Sequence, residues 1–565
     1  MFHGIGFTVQ PPVKPVFQGV TRYISPDQQF VQLFEDANKV YSKFPGFSKL
    51  LRARFSHVAG RSSWQDAHAW LMGFRSKFLF LPVFPLSVAS HDEQVRDAAR
   101  AMSMKCEGAF RREISSLRLA GLSPEKRYKR ALDILAVIVD EHQVSNPIKV
   151  ENPSEKQIIG ALMRLQTEKW WRRQLRKLHA QYLENACRHL GMVCKRRSGY
   201  CSEHTLRRRL SQKKQNRQLL ESMFAENDQG QVYTLAELSD LGVSNPVNRR
   251  HDMMNRISGF EKLAEQDQDI KWQPVFCTLT CPSRFHSHGR NGFQNKKWSG
   301  ETPKDAQAHL CKVWSLTRSM WDRLDINTFG FRVAEPHHDG CPHWHLLLWV
   351  PAGQVKQAMD VFHSYALQMD GNEAGAIERR FTWEEIDEEK GSPTGYVAKY
   401  VSKNIDGLDA NGDAWDKKSV VNAAKTEAWA STWDIRQFQQ IGGASVTVYR
   451  ELRRLDVPEY NELVEQIRKA ADEGDWAEYT RLMGGPTVQR DAQPLRALHV
   501  IKEKINEYGE EIRQMWGLFA VFASVEIKTR LREWGIYSSR GIPEYAAPAA
   551  LGGAGETGPP LDLCQ

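Results

Sequence analysis

Residues 335–350 read EPHHDGCPHWHLLLWV, and this stretch decides the fold of the central part of the chain. Its second half, HWHLLLWV (343–350), predicts a β-strand, and its apolar run on both faces is typical of a strand in the middle of a sheet. Residues i and i+2 of a strand point to the same face, so His343 and His345 project together. Two neutral imidazoles side by side suit a divalent metal ion, although an H-x-H triplet alone is a weak signal.

The residues before this strand strengthen the metal hypothesis. TFGFRVAE (328–335) predicts a second strand, and the turn formers of PHHDGCP between the two strands predict a hairpin that folds Glu335 back beside the histidines. Two imidazoles and one carboxylate, with open positions left, are the ligand set of a catalytic metal site. His337 and His338 lie in the turn, where we expect exposed loop histidines, with alternate metal ligation as the second interpretation.

A second motif lies downstream, in TGYVAKYVSKN (394–404), which predicts a helix. At 100° per residue, Tyr396, Lys399, Tyr400 and Lys403 share one face of that helix. Tyrosines at i and i+4 usually indicate half-buried packing, but this stripe would then also bury two ammonium groups. Nearby lysines favour the phenolate and neutralise an incoming phosphate. The pattern therefore favours two tyrosine nucleophiles assisted by the charge of two lysines.

The remaining patterns predict an α+β fold, with a central antiparallel sheet flanked by helices and mostly helical regions before and after it. A further strand is predicted at 275–281, helices at 302–324 and 354–369, a strand at 378–386, and a strand leading into a helix at 442–455. The predicted organisation is a helical N-terminal domain at 1–150, a basic helical DNA-binding region at 151–265, the motif-bearing domain at 266–456, a helical region at 457–540 and a disordered Gly/Ala/Pro-rich tail at 541–565.

Basic charge is concentrated in one part of the chain. The 565 residues carry a net charge of +9, whereas residues 161–220 alone hold sixteen Lys/Arg and three Asp/Glu. Such a concentration suits a polyanion, because neutralising phosphates releases condensed counterions; the alternative is a solvated helix face. Trp170 and Trp171 interleave with these charges and either stack on bases or face a core.

Nine cysteines are too few for a disulfide scaffold and indicate reduced thiols. Cys187, Cys194, Cys201 and His204 lie within 18 residues, but they lack the short C-x2-C spacing of common zinc sites, so zinc binding stays open. No apolar run approaches a membrane span, and the first residues lack a signal-peptide layout, so we expect a cytoplasmic protein without a membrane partner. We find no nucleotide-binding loop of the G-x4-G-K-[ST] type, so we expect no helicase motor in this chain.

Three strings together resemble a known group of enzymes. VFCTLTCPSRFH (275–286), EPHHDGCPHWHLLLW (335–349) and YVAKYVSKN (396–404) resemble, in order and rough spacing, the motifs of the HUH endonuclease superfamily. They are most similar to the gene A replication endonucleases of tailed bacteriophages. The resemblance covers about residues 270–455, with a weaker likeness through the basic segment upstream.

The resemblance implies an HUH nuclease core and a mechanism. His343, His345 and Glu335 would hold Mg²⁺ or Mn²⁺ against the scissile phosphate, while Tyr396 and Tyr400 alternate as nucleophiles. One strand of the origin would be nicked, leaving a 5′-phosphotyrosyl link and a 3′-hydroxyl. This end would prime rolling-circle replication, with a host helicase to separate the strands and host replication proteins.

Two residues of the first motif and two other functions stay open. Thr278 and Thr280 are expected to contact DNA or to be structural. One alternative function is a two-tyrosine HUH transposase. A relaxase fits poorly, because long relaxases usually place the tyrosine motif before the histidine motif. The other alternative is a non-catalytic DNA-binding initiator that uses the basic helices and does not depend on the tyrosines.

Overall fold

A computed structural model of the chain describes residues 28–82, 86–148, 150–387, 389, 391–408, 418–455 and 461–538. The chain forms two compact units, one of residues up to 192 together with 502–512, and the other of residues 193–501 together with those from 513 on. Their boundary falls inside the predicted basic region 151–265. Helices combine with antiparallel sheets, which confirms the predicted α+β class. The predicted tail at 541–565 lies outside the described residues.

The first unit is built from helices. Ser154 begins one of them with a capping box, in which its hydroxyl accepts from the backbone of Gln157 while the Gln157 side chain accepts from the Ser154 N–H. The helices are α1 (Gln28–Lys43), α2 (Ser48–Arg61), α3 (Trp64–Phe78), α4 (Asp92–Leu119), α5 (Pro124–Glu141), α6 (Glu155–Leu165) and α7 (Glu168–His189). None of the described helices is long and apolar enough to cross a bilayer.

The tryptophans of the basic segment belong to the core of this unit. Trp170 and Trp171 are buried, and the Trp171 indole N–H donates to the carbonyl oxygen of Leu165 at 2.7 Å. The neighbouring charge is partly used for structure, since Arg176 forms a two-pronged ion pair with Asp92 at 2.6 and 2.7 Å. Of the two interpretations of these tryptophans, the structure therefore supports core packing over base stacking.

The second unit holds the motifs. Its helices are α8 (Glu203–Glu221), α9 (Leu235–Leu241), α10 (Pro246–Gln266), α11 (Pro303–Arg323), α12 (Val355–Ala366), α13 (Ala376–Arg379), α14 (Pro393–Ile405), α15 (Ser419–Trp433), α16 (Val446–Leu452), α17 (Glu462–Asp472) and α18 (Trp476–Leu482). Its strands are β1 (Met223–Asn227), β2 (Val232–Thr234), β3 (Trp272–Leu279), β4 (Phe329–Pro336), β5 (Pro342–Pro351), β6 (Phe381–Glu385), β7 (Phe438–Ile441), β8 (Leu495–Ile505), β9 (Glu511–Ala520), β10 (Val525–Lys528) and β11 (Trp534–Ser538), although residues 502–512 of β8 and β9 count with the first unit.

A five-stranded sheet in the order β6-β3-β5-β4-β7 forms the centre of the second unit, and all of its pairings are antiparallel. The sheet is buried on both faces. Leu346 and Leu348 point to a core shared with α11 and α12, whereas Leu347 and Trp349 point to a core shared with α10 and α14. This two-sided burial explains why residues 346–350 are apolar without alternation.

Three sequence-based expectations need correction. Residues 495–538 form strands rather than the helices predicted across 457–540, although 462–482 is helical. The strand predicted at the start of 442–455 lies earlier, as β7, and the helix predicted after it is α16. Between them, Gly442 and Gly443 adopt positive φ (65° and 74°) and turn the chain. The start of the strand predicted at 378–386 is the short helix α13.

Candidate metal centre and active site

The β4–β5 hairpin builds the centre of the site. Glu335 lies directly opposite His343 in the antiparallel register, which confirms the predicted hairpin. The turn closes through a hydrogen bond of 2.7 Å from the His337 N–H to the Cys341 carbonyl, with Gly340 at φ 80°. A residue with a side chain would be strained in that conformation.

Three side chains meet at this hairpin. The Nε2 atoms of His343 and His345 lie 3.0 Å apart, and each lies 3.7–3.8 Å from Glu335 Oε2. Their donor atoms all lie within 4.8 Å of one another. Among the described residues, these three side chains form the one group of three or more His, Cys, Asp or Glu residues that could surround a metal ion. All three side chains are largely buried, which limits competition from water.

Burial sets the protonation of these groups. It lowers the pKa of His345 to about 4 and holds the pKa of His343 well below its usual value, so both rings are neutral at pH 7. Burial raises the pKa of the Glu335 carboxyl to about 7, against the opposing effects of Asn404 and Lys403. A neutral imidazole offers a lone pair, and a buried carboxyl whose pKa stays raised despite a nearby ammonium group gains from a bound cation.

Strand β3 supplies the floor of the site. Thr278 pairs with His345 across the sheet, and its hydroxyl lies 3.0 Å from His345 Nδ1. If Nδ1 carries the proton and donates to Thr278, then Nε2 is free to bind a metal. Phe276, two residues earlier and on the same face, stacks on the His345 ring at 5.6 Å. Thr280 instead donates to the Arg379 carbonyl at 2.9 Å and ties β3 to the segment before β6.

Helix α14 places the two tyrosines differently. It begins at Pro393 behind the Ser392 cap, and it buries Val397 and Val401 against the sheet. The Tyr400 ring lies 4.2 Å from the ring of His345 and 5.4 Å from Phe276. The Tyr396 ring lies 6.0 Å from Phe276, and this residue is 37% exposed.

A cavity of about 290 Å³ opens beside the hairpin. It is lined by Glu335, Tyr400, Lys399 and Lys403, together with Tyr200 from the segment before α8 and polar residues of α15. Tyr396 is not among the described lining residues. The structure therefore brings one tyrosine, both lysines and the carboxylate of the hairpin to one cavity.

The expected effect of the lysines on the phenol is not what the structure gives. The pKa of Tyr400 is raised, first by burial and then by the carboxylates of Glu335 and Glu384. The ammonium group of Lys403 acts on Glu335, whose pKa it lowers. Without a cation, the site therefore disfavours the phenolate at Tyr400.

Asn404 forms a clamp that the sequence patterns did not single out. Its side-chain amide donates to Glu335 Oε1 and also to the Tyr400 carbonyl at 2.6 Å, so it fixes the carboxylate relative to the tyrosine helix. The signal was available, because Asn404 follows Tyr400 by four residues and lies on the same helical face. Phe276 could likewise have been found as the same-face neighbour of Thr278.

The turn histidines are not the exposed loop residues that we expected. His337 is half-buried and stacks on His343 with ring centroids 4.0 Å apart, and its pKa falls to about 3 through burial and the neighbouring His286. His338 lies 3.2 Å, through Nε2, from the Gly289 carbonyl. Neither belongs to the three-residue metal cluster.

The zinc hypothesis stays a prediction. Cys187 lies in α7 of the first unit, whereas Cys194, Cys201 and His204 belong to the second. The three cysteines are buried, and the eight cysteines in the described part of the chain are free of disulfides, as expected of reduced thiols.

Comparisons with known proteins identify relatives over most of these elements. A family model described as bacteriophage replication gene A protein matches residues 92–408, which include the hairpin and α14. The chain is 40% identical over 400 residues to "Replication gene A protein" of Escherichia phage 186, which covers 69% of this chain and 57% of the relative. It is 38% identical over 400 residues to "Replication protein" of Haemophilus phage HP1, covering 69% of this chain and 50% of the relative.

A third relative carries an activity in its name. The chain is 32% identical over 395 residues to "Probable replication endonuclease from prophage-like region 1" of Salmonella typhi, covering 67% of this chain and 49% of the relative. The chain thus spans about half the length of the curated relatives that it matches. No solved structure matches it. The family model covers more than half of the chain, and the chain belongs to the bacteriophage replication gene A protein family.

Proposed function

We propose that this chain is a phage replication initiator, a metal-dependent endonuclease with an HUH nuclease core that nicks one DNA strand through a tyrosine nucleophile. The observation that carries the proposal is the meeting of Glu335, His343 and His345 in one cluster, with the Tyr400 ring 4.2 Å from His345. Family membership supports the role in replication, and the relative named as a replication endonuclease supports strand cleavage.

The residues present fit a divalent cation. Two neutral imidazoles and one carboxylate leave positions open for phosphate oxygens, which suits Mg²⁺ or Mn²⁺ in a phosphoryl-transfer site. Glu335 is the group with most to gain, because burial raises its pKa to about 7 despite the opposing charge of Lys403. A bound cation would polarise the scissile phosphate and cancel the Glu335 charge that raises the Tyr400 pKa.

The residues of the chain then perform a transesterification. The Tyr400 oxygen attacks phosphorus, the bond between phosphorus and the 3′ oxygen breaks, the phenol proton leaves to solvent, and the departing 3′ oxygen takes up a proton. The products are a 5′-phosphotyrosyl bond and a 3′-hydroxyl primer. One phosphodiester replaces another, so rejoining needs no ATP. Lys399 and Lys403 line the same cavity and offset the charge of the phosphate.

The two tyrosines differ in their surroundings, and we assign the first attack to Tyr400. Its ring lies against His345 and it lines the cavity with Glu335, whereas Tyr396 is 37% exposed and touches the site through Phe276. Tyr396 would act on the second strand transfer, when the 5′ end already occupies Tyr400. A host helicase would then separate the strands while host replication proteins extend the primer.

The test is formation of a covalent protein–DNA complex. Supercoiled plasmid carrying the coding sequence of this chain is incubated with protein and Mn²⁺, denatured, and analysed for nicked circles and for protein joined to the plasmid DNA. We expect Tyr400→Phe to lower the yield of the first nick at least tenfold. Tyr396→Phe should keep the first nick but lose the second transfer, and the double variant should form no adduct.

Tyr537→Phe is the matched control, because this exposed tyrosine lies in β11, outside the site. It should leave the adduct unchanged. A covalent complex formed by the Tyr396→Phe, Tyr400→Phe double variant would contradict the mechanism. DNA binding without any tyrosine-dependent cleavage would instead favour the non-catalytic initiator.

A further inference from the structure

A second cavity in the same unit is much larger than the one beside the hairpin. It has a volume of about 1360 Å³ and follows edge strand β7, between α10, the end of α11, α15 and the segment before β8. We call it the arginine groove, because seven of its described lining residues are arginine and four are Asp or Glu. Its volume exceeds the ~300–1,000 Å³ of small-molecule pockets, which favours a polymer as the occupant.

Like charges converge in the arginine groove. Arg256 and Arg450 share a single carboxylate, Asp252, at 2.8 and 3.3 Å. The pKa of Arg256 is lowered, first by burial, and the guanidinium groups of Arg450 and Arg436 lower it further despite the Asp252 ion pair. Holding positive charges this close costs free energy in the free protein, and an anion bound among them would recover it.

Three other arginines of the groove are exposed. Arg318, Arg436 and Arg490 reach solvent, and within the described parts of the chain none of them forms an ion pair. Arg318 lies over the Trp314 ring at 5.9 Å, and Arg436 donates to the Phe438 carbonyl at 3.2 Å. Their guanidinium groups keep donors for a ligand, and guanidinium matches phosphate geometry.

A buried amide at the groove also has an unused donor. Gln437 is only 7% exposed and lines the groove immediately before β7, and its Nε2 has no hydrogen-bond partner among the described residues. Leaving a buried N–H without an acceptor is unfavourable, so such a group is usually explained by a ligand or by function. A phosphate oxygen in the groove would supply the acceptor.

We propose that the arginine groove binds the sugar–phosphate backbone of single-stranded DNA, a proposal that rests on the DNA substrate of the proposed function. The aromatic side chains that line it, Trp321, Phe331 and Phe438, are buried, so bases have no exposed ring to stack on. Binding through phosphates alone is insensitive to sequence. The groove therefore holds the strand without selecting the nick site.

One helix connects this groove to the candidate active site. Asn422 and Thr426 of α15 line the cavity of Glu335 and Tyr400, whereas Glu427 and Ala430, one and four residues after Thr426, line the arginine groove. A single DNA strand that runs along α15 would pass from the candidate metal centre into the groove. The groove thus extends the contact with DNA beyond the nucleotides at the cleaved bond.

The test measures DNA affinity without cleavage. A fluorescent 30-nucleotide single strand of mixed sequence is titrated with full-length protein in EDTA at several NaCl concentrations. We expect the triple variant Arg318→Gln, Arg436→Gln, Arg490→Gln to bind this DNA at least tenfold more weakly than the wild-type protein at 150 mM NaCl. The slope of log K against log salt should fall by ~2, since each lost phosphate contact on a single strand removes ~0.7. A scrambled oligonucleotide should bind equally well.

The matched control removes three charges from exposed lysines of α11 and α12 outside the groove, as Lys304→Gln, Lys312→Gln, Lys356→Gln. Equal DNA affinity and salt slope for the two triple variants, at equal melting temperature, would overturn the proposal. A second titration uses poly-glutamate in place of DNA. If the arginine triple variant loses poly-glutamate binding but keeps its DNA affinity, the proposal is also overturned, and the groove would instead bind an acidic protein partner. Because no cleavage occurs in EDTA, failure of the tyrosine mechanism would leave this result standing, and the reverse also holds.

Discussion

The hydrogen bond between Thr278 and His345 decides which nitrogen of the His345 ring carries the proton. The hydroxyl of Thr278 lies 3.0 Å from Nδ1 of His345, and an acceptor at that position keeps the proton on Nδ1 and the lone pair on Nε2. We expect Thr278→Val to weaken Mn²⁺ binding about tenfold to a hundredfold, as is usual when the hydrogen-bond partner of a ligating histidine is lost. Calorimetric titration with Mn²⁺ measures this.

Thr280→Val provides the comparison for Thr278→Val. The Thr280 hydroxyl donates to the Arg379 carbonyl, away from the histidines. The Thr280→Val variant should therefore lose some stability but keep its Mn²⁺ affinity. Equal weakening by both variants would show that Thr278 acts through the strand rather than through His345.

Glu335 should make metal binding depend on pH. Burial raises the pKa of its carboxyl to about 7, so below pH 7 a proton must leave before the carboxylate can bind a cation. The Mn²⁺ dissociation constant should therefore rise about tenfold for each pH unit below 7 and level off above it. His345, with a pKa of about 4, stays neutral from pH 5.5 to 8 and does not add to this slope.

Mn²⁺ titrations of the wild-type protein and of Glu335→Gln at pH 5.5 to 8 check this prediction. The variant should bind more weakly at pH 8 and lose the pH dependence. A slope that persists in Glu335→Gln would assign the titration to another group.

At the scale of elements, the β4–β5 pairing holds Glu335 in register with His343 and His345. Gly330 lies in β4, and a Cβ atom at this position would overlap the carbonyl oxygen of Leu347 across the pair. Gly330→Ala should therefore push the strands apart and destabilise the second unit by about 1–3 kcal/mol, the usual cost of overpacking. It should also weaken Mn²⁺ binding, because Glu335 lies on the same strand.

Urea unfolding and Mn²⁺ titration measure the two effects of Gly330→Ala. Gly353→Ala is the control, since a Cβ there meets no atom within 4 Å. If Gly330→Ala lowers stability but leaves metal affinity unchanged, the register of the hairpin is not what positions the cluster.

At the scale of the whole molecule, the division into two units predicts how a metal stabilises the protein. The cluster of Glu335, His343 and His345 lies entirely in the second unit, and a ligand stabilises only the cooperative unit that binds it. Scanning calorimetry with Mn²⁺ at a hundredfold excess over its dissociation constant should add about 2.7 kcal/mol to the second unit and raise one transition. EDTA should reverse the shift.

His343→Ala serves as the control in the same scans, with each protein compared with and without Mn²⁺. The variant should show no metal-dependent shift. An equal rise of every transition, or a rise that persists in the variant, would place the stabilising metal elsewhere.

The sequence by itself determined the features that depend on neighbours along the chain. Turn formers between two apolar strands gave the hairpin, a period of two placed His343 and His345 on one face, and a period of 3.6 placed Tyr400 and its lysines on one helix. These patterns are visible because the interacting residues are close in sequence.

The tertiary structure decided what depends on distant residues. Thr278 reaches His345 from a strand 67 residues earlier, Asn404 reaches Glu335 from a helix 69 residues later, and burial together with nearby carboxylates raises the Tyr400 pKa. The residues of the charged strands β8 and β9 favour helix by their local preference. They form a sheet because the two strands pair with each other in the folded chain. The arginine groove likewise depends on distant residues, since its arginines lie on separate elements between Arg209 and Arg490. Like charges from separate elements meet only when the chain is folded.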